Sequence, residues 1–253
     1  MRKMLGRVYR FTRHIPYFLK TGYVPTPERV NPDFPDPIFV NHFKVYKFAA
    51  QFVAGKRVLD VGCGTGYGSD YLAGFASSVV GIDNSKSAVR YSKSKYSRPD
   101  FRVMDAHKIE FPDDSFDFIF SSENFEHLSR QATHLRELSR ILAPGGMALI
   151  ATPNSQLCTG VNKFHFKENS YEELCALIQP VFRYLEILEN SLPHSVDRQH
   201  GKDPASDPLL IFGTPVDKTH LSNTHSFFCF CRQESGPLDP SIPSQTQLRV
   251  VAK

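Results

Sequence analysis

The stretch VLDVGCGTGYG, residues 58–68, decides how the rest of the chain is read. Val58, Leu59 and Val61 around Asp60 have the composition of a strand buried on both faces. Glycines follow at alternate positions, Gly62, Gly64 and Gly66, and a helical pattern then begins. Glycine lets the backbone take positive φ and lets a ligand approach the main chain closely. A strand running through such a loop into a helix is the opening of a nucleotide-type binding unit. Spacing removes two variants of it. The dinucleotide fingerprint requires Gly-x-Gly-x-x-Gly, and Tyr67 stands where its third glycine belongs. No Gly-Lys-Ser/Thr follows, so a Walker loop is excluded.

Outward from this loop, strand and helix patterns alternate. Arg57–Val61 reads as the first strand and Gly66–Ala76 as the helix after it. Ser78–Ile82 is a second strand, followed by a helix capped around Asn84. Phe101–Met104 and Asp117–Ser121 are the third and fourth strands, and Gly146–Thr152 the fifth. Between the last two of these, Ser129–Leu142 places Leu135, Leu138 and Leu142 on one side of a helix. Ser170 and Glu173 form a capping-box pair opening a helix over Tyr171–Gln179. Val181–Glu189 and Ser226–Arg232 are two further strands, and a helix over Asn41–Phe52 precedes the whole series. The pattern predicts an α/β fold, a Rossmann-like doubly wound sheet, mostly parallel, with helices on both faces.

Length and composition set the frame. The chain has 253 residues and is 41% hydrophobic, which suits one domain with insertions. No apolar run approaches the 18 or so residues of a membrane span. The five cysteines are odd in number, irregularly spaced and without a Cys-x-x-Cys pair. That argues against a disulfide framework or zinc finger and for a reducing compartment, the cytoplasm. The net charge of +4 is unevenly placed. Residues 1–27 carry Arg2, Lys3, Arg7, Arg10, Arg13 and Lys20 with no acid, so the remainder is net negative. The body also lacks a dense basic patch, so a nucleic-acid partner is not expected.

The chain divides accordingly. Residues 1–40 are a basic arm and Pro-rich linker, and 41–233 the folded domain. Residues 191–224 are a long insertion between its last two strands, and 234–253 a loose Pro/Ser/Gln-rich tail. In the arm, Leu5, Val8, Thr12, Ile15, Phe18 and Leu19 fall near helical spacing among the arginines. Such a segment either packs on the domain or lies on an anionic membrane surface through residues 1–20.

Two acids complete the loop. Asp83 ends the second strand about 20 residues beyond Gly62, where a carboxylate can accept ribose hydroxyls. Asp105 ends the third strand, where a carboxylate can accept from an adenine amino group. With these in place the chain resembles the class I S-adenosylmethionine-dependent methyltransferases. The segments VLDVGCGTGYGS, GIDNS, MDAHKIEFPDDSFDFIFSSENFEHL and LAPGGMALIATPN carry the likeness in order. The resemblance implies a seven-stranded sheet whose last strand is antiparallel and inserted between strands five and six. It implies S-adenosylmethionine as cofactor over the strand C-termini. Asp60 and the backbone of Gly62, Cys63, Gly64 and Gly66 would face its methionyl part. Asp83 would hold the ribose, with Asn84 beside it, Asp105 and Ala106 the adenine, and Ser122 would lie near the sulfonium.

Glu123, Glu126 and His127 form Glu-x-x-Glu-His after the fourth strand. In a helical turn these share one face, and two carboxylates with an imidazole suit Mg, Mn or Zn. The cluster resembles the metal site of ubiquinone-pathway O-methyltransferases and of small-RNA 3′-end 2′-O-methyltransferases, families that add a later histidine; His165 stands in a comparable place. Three readings stand side by side: metal ligation, acid–base or substrate contact by His127 and Glu123 without metal, and packing. His42, Tyr46, Lys163 and Lys167 rank below them. Cys229 and Cys231 share one face of a strand and read as buried packing.

The Pro-Glu-Arg segment and the approach to the first strand resemble bacterial methyltransferases of glycan and lipid-linked biosynthesis. The expected reaction is O-methylation of a small-molecule, glycan or lipid-linked acceptor. The alternatives are a non-catalytic S-adenosylmethionine-binding partner module and, disfavoured by the glycine spacing, a nicotinamide dehydrogenase.

Overall fold

The computed structural model describes residues 30–33, 37–156, 162–190, 213–215 and 226–234. The basic arm, most of the 191–224 insertion and the tail beyond 234 lie outside them. The strands are β1 (Arg57–Val61), β2 (Ser78–Asp83), β3 (Asp100–Val103), β4 (Phe116–Ser122), β5 (Leu142–Pro153), β6 (Tyr184–Asn190), β7 (Gly213–Pro215) and β8 (Ser226–Arg232). The helices are α1 (Pro37–Ala49), α2 (Tyr67–Leu72), α3 (Lys86–Lys95), α4 (Gln131–Ile141) and α5 (Tyr171–Ile178). Short 3-10 turns at Ala50–Phe52 and Phe125–His127 follow α1 and β4.

The strands form one sheet in the order β3-β2-β1-β4-β5-β8-β6-β7. β3, β2, β1, β4 and β5 are mutually parallel, while β8 enters between β5 and β6, antiparallel to both. The seven expected strands are present in the expected order. An eighth, the three-residue β7 from the insertion, pairs with β6 along the sheet edge. Three residues that include Gly213 and Pro215 show no strand periodicity in sequence. Their pairing satisfies backbone groups that an edge leaves open.

Alternation along the strands sends side chains into two cores. Val58, Phe118, Phe120, Leu149, Phe228 and Phe230 face α1 and α2, where Val45, Phe48, Ala49 and Phe52 recur at helical spacing. Phe48 stacks on Phe228 at 5.1 Å and Phe52 on Phe118 at 6.2 Å between ring centroids. Each such buried ring contributes about 1.5–3 kcal/mol of transfer free energy. Leu59, Val61, Ile119, Ile150 and Phe227 point the other way, against Leu135, Leu138 and Ile141 of α4 and Leu174 and Ile178 of α5. Cys229 and Cys231 lie in this second core as fully buried free thiols. Burial pushes both thiols well above the usual range, so they pack as apolar groups.

Local differences from the sequence reading have local causes. α3 is capped by Ser85, whose hydroxyl accepts from the Ala88 N–H, and not by Asn84. α2 ends at Leu72, short of Ala76, because the chain winds into tight turns through Gly74. The Ser170–Glu173 capping box forms in both directions.

Candidate functional site

The strand order reverses between β1 and its neighbours β2 and β4, and ligands of open α/β sheets bind at such a switch point. A cavity of about 360 Å³ opens there. It is lined by Gly62, Cys63 and Gly64 from the glycine loop, Asp83 and Asn84 after β2, Asp105 and Ala106 after β3, and Ser122, Glu123 and His127 after β4. His42 and Tyr46 of α1 form its opposite wall.

The loop is held from β2. Gly62 and Cys63 N–H groups donate to the Ile82 carbonyl at 2.8 and 3.0 Å, and Gly64 N–H donates to Asp83 Oδ2 at 3.0 Å. Asp83 Oδ1 accepts from Ser85 N–H at 2.8 Å. Gly64 is left-handed with open space beside it (φ +53), so its backbone is bare to the cavity. At Gly66 (φ +79) an added Cβ would meet Ser92 and Phe101 at 2.7 Å.

Two of the residues assigned to the cofactor stand behind the cavity wall. Gly66 turns the chain into α2. Asp60 is fully buried and accepts from the Tyr46 hydroxyl at 3.1 Å and the Ser69 hydroxyl at 2.6 Å. Burial raises the Asp60 carboxyl to about 7 against those two hydrogen bonds. The Tyr46 ring lies on Gly68, where a Cβ would sit 2.1 Å from it. Asp60 therefore ties α1, and with it one wall of the cavity, to β1 and α2. The glycine series in the sequence runs on to Gly68 and carried the only signal for this contact.

Asp105 accepts from the backbone N–H and ring Nδ1 of His107, both at 2.8 Å, and these hold its carboxyl below the usual range. His107 Nε2 accepts in turn from Arg130 N–H. The Ala106 carbonyl accepts from Nδ1 of His134 at 2.9 Å. His134 is fully buried, and burial lowers its pKa to about 4, so it is neutral. Neither histidine stood out in the sequence.

On the β4 side, Glu123 takes a left-handed conformation (φ +48), an uncommon one for a residue with a side chain and one concentrated at functional sites. Glu126 is fully buried. Its Oε2 accepts from the Thr152 hydroxyl at 3.2 Å, and its Oε1 has no hydrogen-bond partner. Burial raises both carboxyls; repulsion from Glu168 adds to it at Glu123, and repulsion from Glu123 and then Glu168 adds to it at Glu126. His127 Nδ1 donates to the Phe164 carbonyl at 3.0 Å, which leaves Nε2 facing Glu126 Oε1 at 3.9 Å. His165 packs edge-on to His127 with 4.9 Å between ring centroids. Its Nδ1 is hydrogen-bonded to Glu168, and its Nε2 lies 2.8 Å from the Asn162 side-chain amide.

Ligand atoms of Glu126, His127 and His165 all lie within 4.8 Å of one another; Glu123 is outside this group and lines the cavity instead. The loop bearing His165 is stapled to the turn bearing His127. Phe166 and Lys167 N–H groups donate to the Glu126 carbonyl at 2.7 and 3.0 Å. The Gln131 amide bridges the carbonyls of Phe125 and Lys167 at 3.0 and 2.9 Å, and Asn169 donates to its oxygen. The i, i+3 spacing of His165 and Glu168 was a readable signal; Gln131 offered none.

Residues 59–150 match the family described as "Methyltransferase domain". The "Probable S-adenosylmethionine-dependent methyltransferase" of Mycolicibacterium smegmatis is 36% identical over 146 residues, 56% of this chain and 57% of its own length. The ubiquinone biosynthesis O-methyltransferase of Rhizobium rhizogenes is 32% identical over 110 residues, 42% of this chain and 44% of its own. The chain thus spans little more than half the length of curated relatives that it matches. In fold, it is similar to the S-adenosylmethionine-dependent methyltransferase of Mesorhizobium loti, with a TM-score of 0.58 at 17% identity over 78% of this chain and all of that one. Over residues 59–150 the chain matches a methyltransferase domain, and its sheet with the inserted antiparallel strand has the fold of an S-adenosylmethionine-dependent methyltransferase.

Proposed function

We propose that the protein transfers a methyl group from S-adenosylmethionine to an oxygen of a small-molecule, glycan or lipid-linked acceptor. The observation that carries the proposal is the single cavity shared by Gly62–Gly64, Asp83, Asp105 and Ala106 on one side and Ser122, Glu123 and His127 on the other. S-adenosylmethionine brings its own leaving group, so the protein's task is alignment and a suitable field. Asp83 receives the ribose, Asp105 and Ala106 the adenine, and the loop backbone the methionyl part. That leaves the sulfonium toward Ser122. An acceptor hydroxyl at the same edge meets Nε2 of His127, whose other nitrogen is fixed on the Phe164 carbonyl.

The donor set there also fits a divalent ion. Glu126 Oε1 is a buried acceptor without a hydrogen-bond partner, and both imidazoles are anchored through Nδ1, the outer-sphere pattern of metal-ligating histidines, although His165 Nε2 would have to exchange the Asn162 amide for the ion. Glu126, His127 and His165 would hold the ion, with Glu123 beside it. Such an ion lowers the pKa of a bound acceptor hydroxyl and orients it. Without an ion, His127 acts as the base with Glu123 near it.

The basic arm, residues 1–20, would bring the domain to an anionic membrane surface, where a lipid-linked acceptor resides. Among the described residues no helix is long and apolar enough to cross a membrane. The test is transfer of a labelled methyl group to cell extract with mass identification of the product. Transfer is expected, and treatment with chelator should stop it until Mg, Mn or Zn is restored. Full activity in chelator assigns His127 the metal-free role. Cofactor binding without turnover on any extract favours the alternative, a partner module.

A further inference from the structure

A second depression, about 620 Å³, begins where the cavity ends. The two share Leu128 and Ser129 and so adjoin at the residues that follow His127. The His165 loop borders both. Phe164 lines the cavity, Phe166 lines the groove, and the two rings are 44% and 69% exposed. Folding normally covers side chains of this size, and two uncovered on one loop beside a cleft point to a ligand. The opposite bank is Ala176 and Leu177 of α5, and Ala132 of α4 extends the floor. A Lys167–Glu173 ion pair at 2.8 Å crosses the rim. The volume is that of a small-molecule pocket.

We propose that this groove receives the apolar tail of the methyl acceptor. The acceptor is then amphipathic, with its hydroxyl-bearing head at His127 and a hydrocarbon tail between α4 and α5. This rests on the methyltransferase reading above. The groove sets an apolar strip of Leu128, Phe166, Ala176 and Leu177, which removes methylenes from water, beside the polar side chains of Arg130 and Gln131.

The chain contains no Trp, so Phe166→Trp supplies a single reporter in the groove. This variant is titrated with n-alkyl glucosides from butyl to decyl, below micelle formation, with S-adenosylhomocysteine present. Emission should shift to the blue, and half-saturation should fall about two- to fourfold per added methylene. Adding Ala176→Asp, which places a charge at an exposed groove position, should abolish the chain-length dependence and leave S-adenosylhomocysteine affinity unchanged. Binding independent of chain length overturns the proposal, as does a chain-length dependence that survives Ala176→Asp. A blue shift that follows protein concentration without glucoside puts a second copy in the groove and also overturns it. Calorimetry with S-adenosylhomocysteine separates the two levels: its failure counts against the methyltransferase reading, whereas its success with no tail effect counts against the groove alone.

Discussion

Asp83 carries the cofactor assignment on one carboxylate. It already accepts the Gly64 and Ser85 N–H groups, which fix it at the mouth of the loop. Replacing it with Ala should weaken S-adenosylhomocysteine binding by about 1.5–3 kcal/mol, the range for hydrogen bonds to a charged group. Unchanged affinity in calorimetry would remove the ribose role. His134 gives a separate prediction. The unfolded chain takes up a proton there near pH 6.5 and the native protein only near 4. Its contribution to stability is complete above 6.5 and is lost as pH falls through 4. Asp60 runs the opposite way: its native carboxyl titrates near 7, so stability is lost as pH rises from about 4 to 7. The wild-type profile mixes the two, and comparison with a variant separates them. Relative to His134→Gln, the wild type should lose about 2 kcal/mol in denaturant unfolding between pH 7 and pH 5. A constant difference contradicts the buried neutral assignment.

At the scale of elements, the glycine loop and the His165 loop are set by different kinds of information. Gly66 must be left-handed and has Ser92 and Phe101 against it. Gly66→Ala should therefore cost about 1–3 kcal/mol in thermal or denaturant unfolding; a neutral result would mean the turn can relax. That requirement was legible because glycine spacing is local. So were the strands, since β1, β4 and β8 alternate between the two cores residue by residue. The His165 loop was legible only as a histidine at a plausible distance along the chain. What places it over His127 is Gln131, whose partners Lys167 and Asn169 come from a distant segment. No periodicity encodes such a pairing. Gln131→Ala takes the side-chain donor from the Lys167 carbonyl and one of two donors from the Phe125 carbonyl, and should cost about 1–3 kcal/mol. It should also speed amide hydrogen exchange in residues 162–169, and protection equal to wild type would show that the Glu126 carbonyl alone holds the loop.

For the whole molecule, the fold divides cofactor from acceptor. The motifs on β1 to β4, which line the proposed cofactor cavity, are short-range in sequence and were readable for that reason. The proposed acceptor side draws on α1, the His165 loop and α5, whose meeting is tertiary, and fold alone does not name a substrate. The charge asymmetry of residues 1–27 belongs to this scale as well. Deleting residues 1–20 should abolish sedimentation with anionic liposomes while leaving cofactor affinity intact; equal sedimentation would remove the membrane role of the arm. The central claim is that the cavity at the β1/β4 switch point holds S-adenosylmethionine. Isothermal titration of the purified chain with S-adenosylhomocysteine and, separately, NADH tests it most directly. One-to-one binding of S-adenosylhomocysteine, weakened by Asp83→Ala and with no heat from NADH, is the expected result. A folded chain that binds NADH tightly and S-adenosylhomocysteine not at all would contradict it.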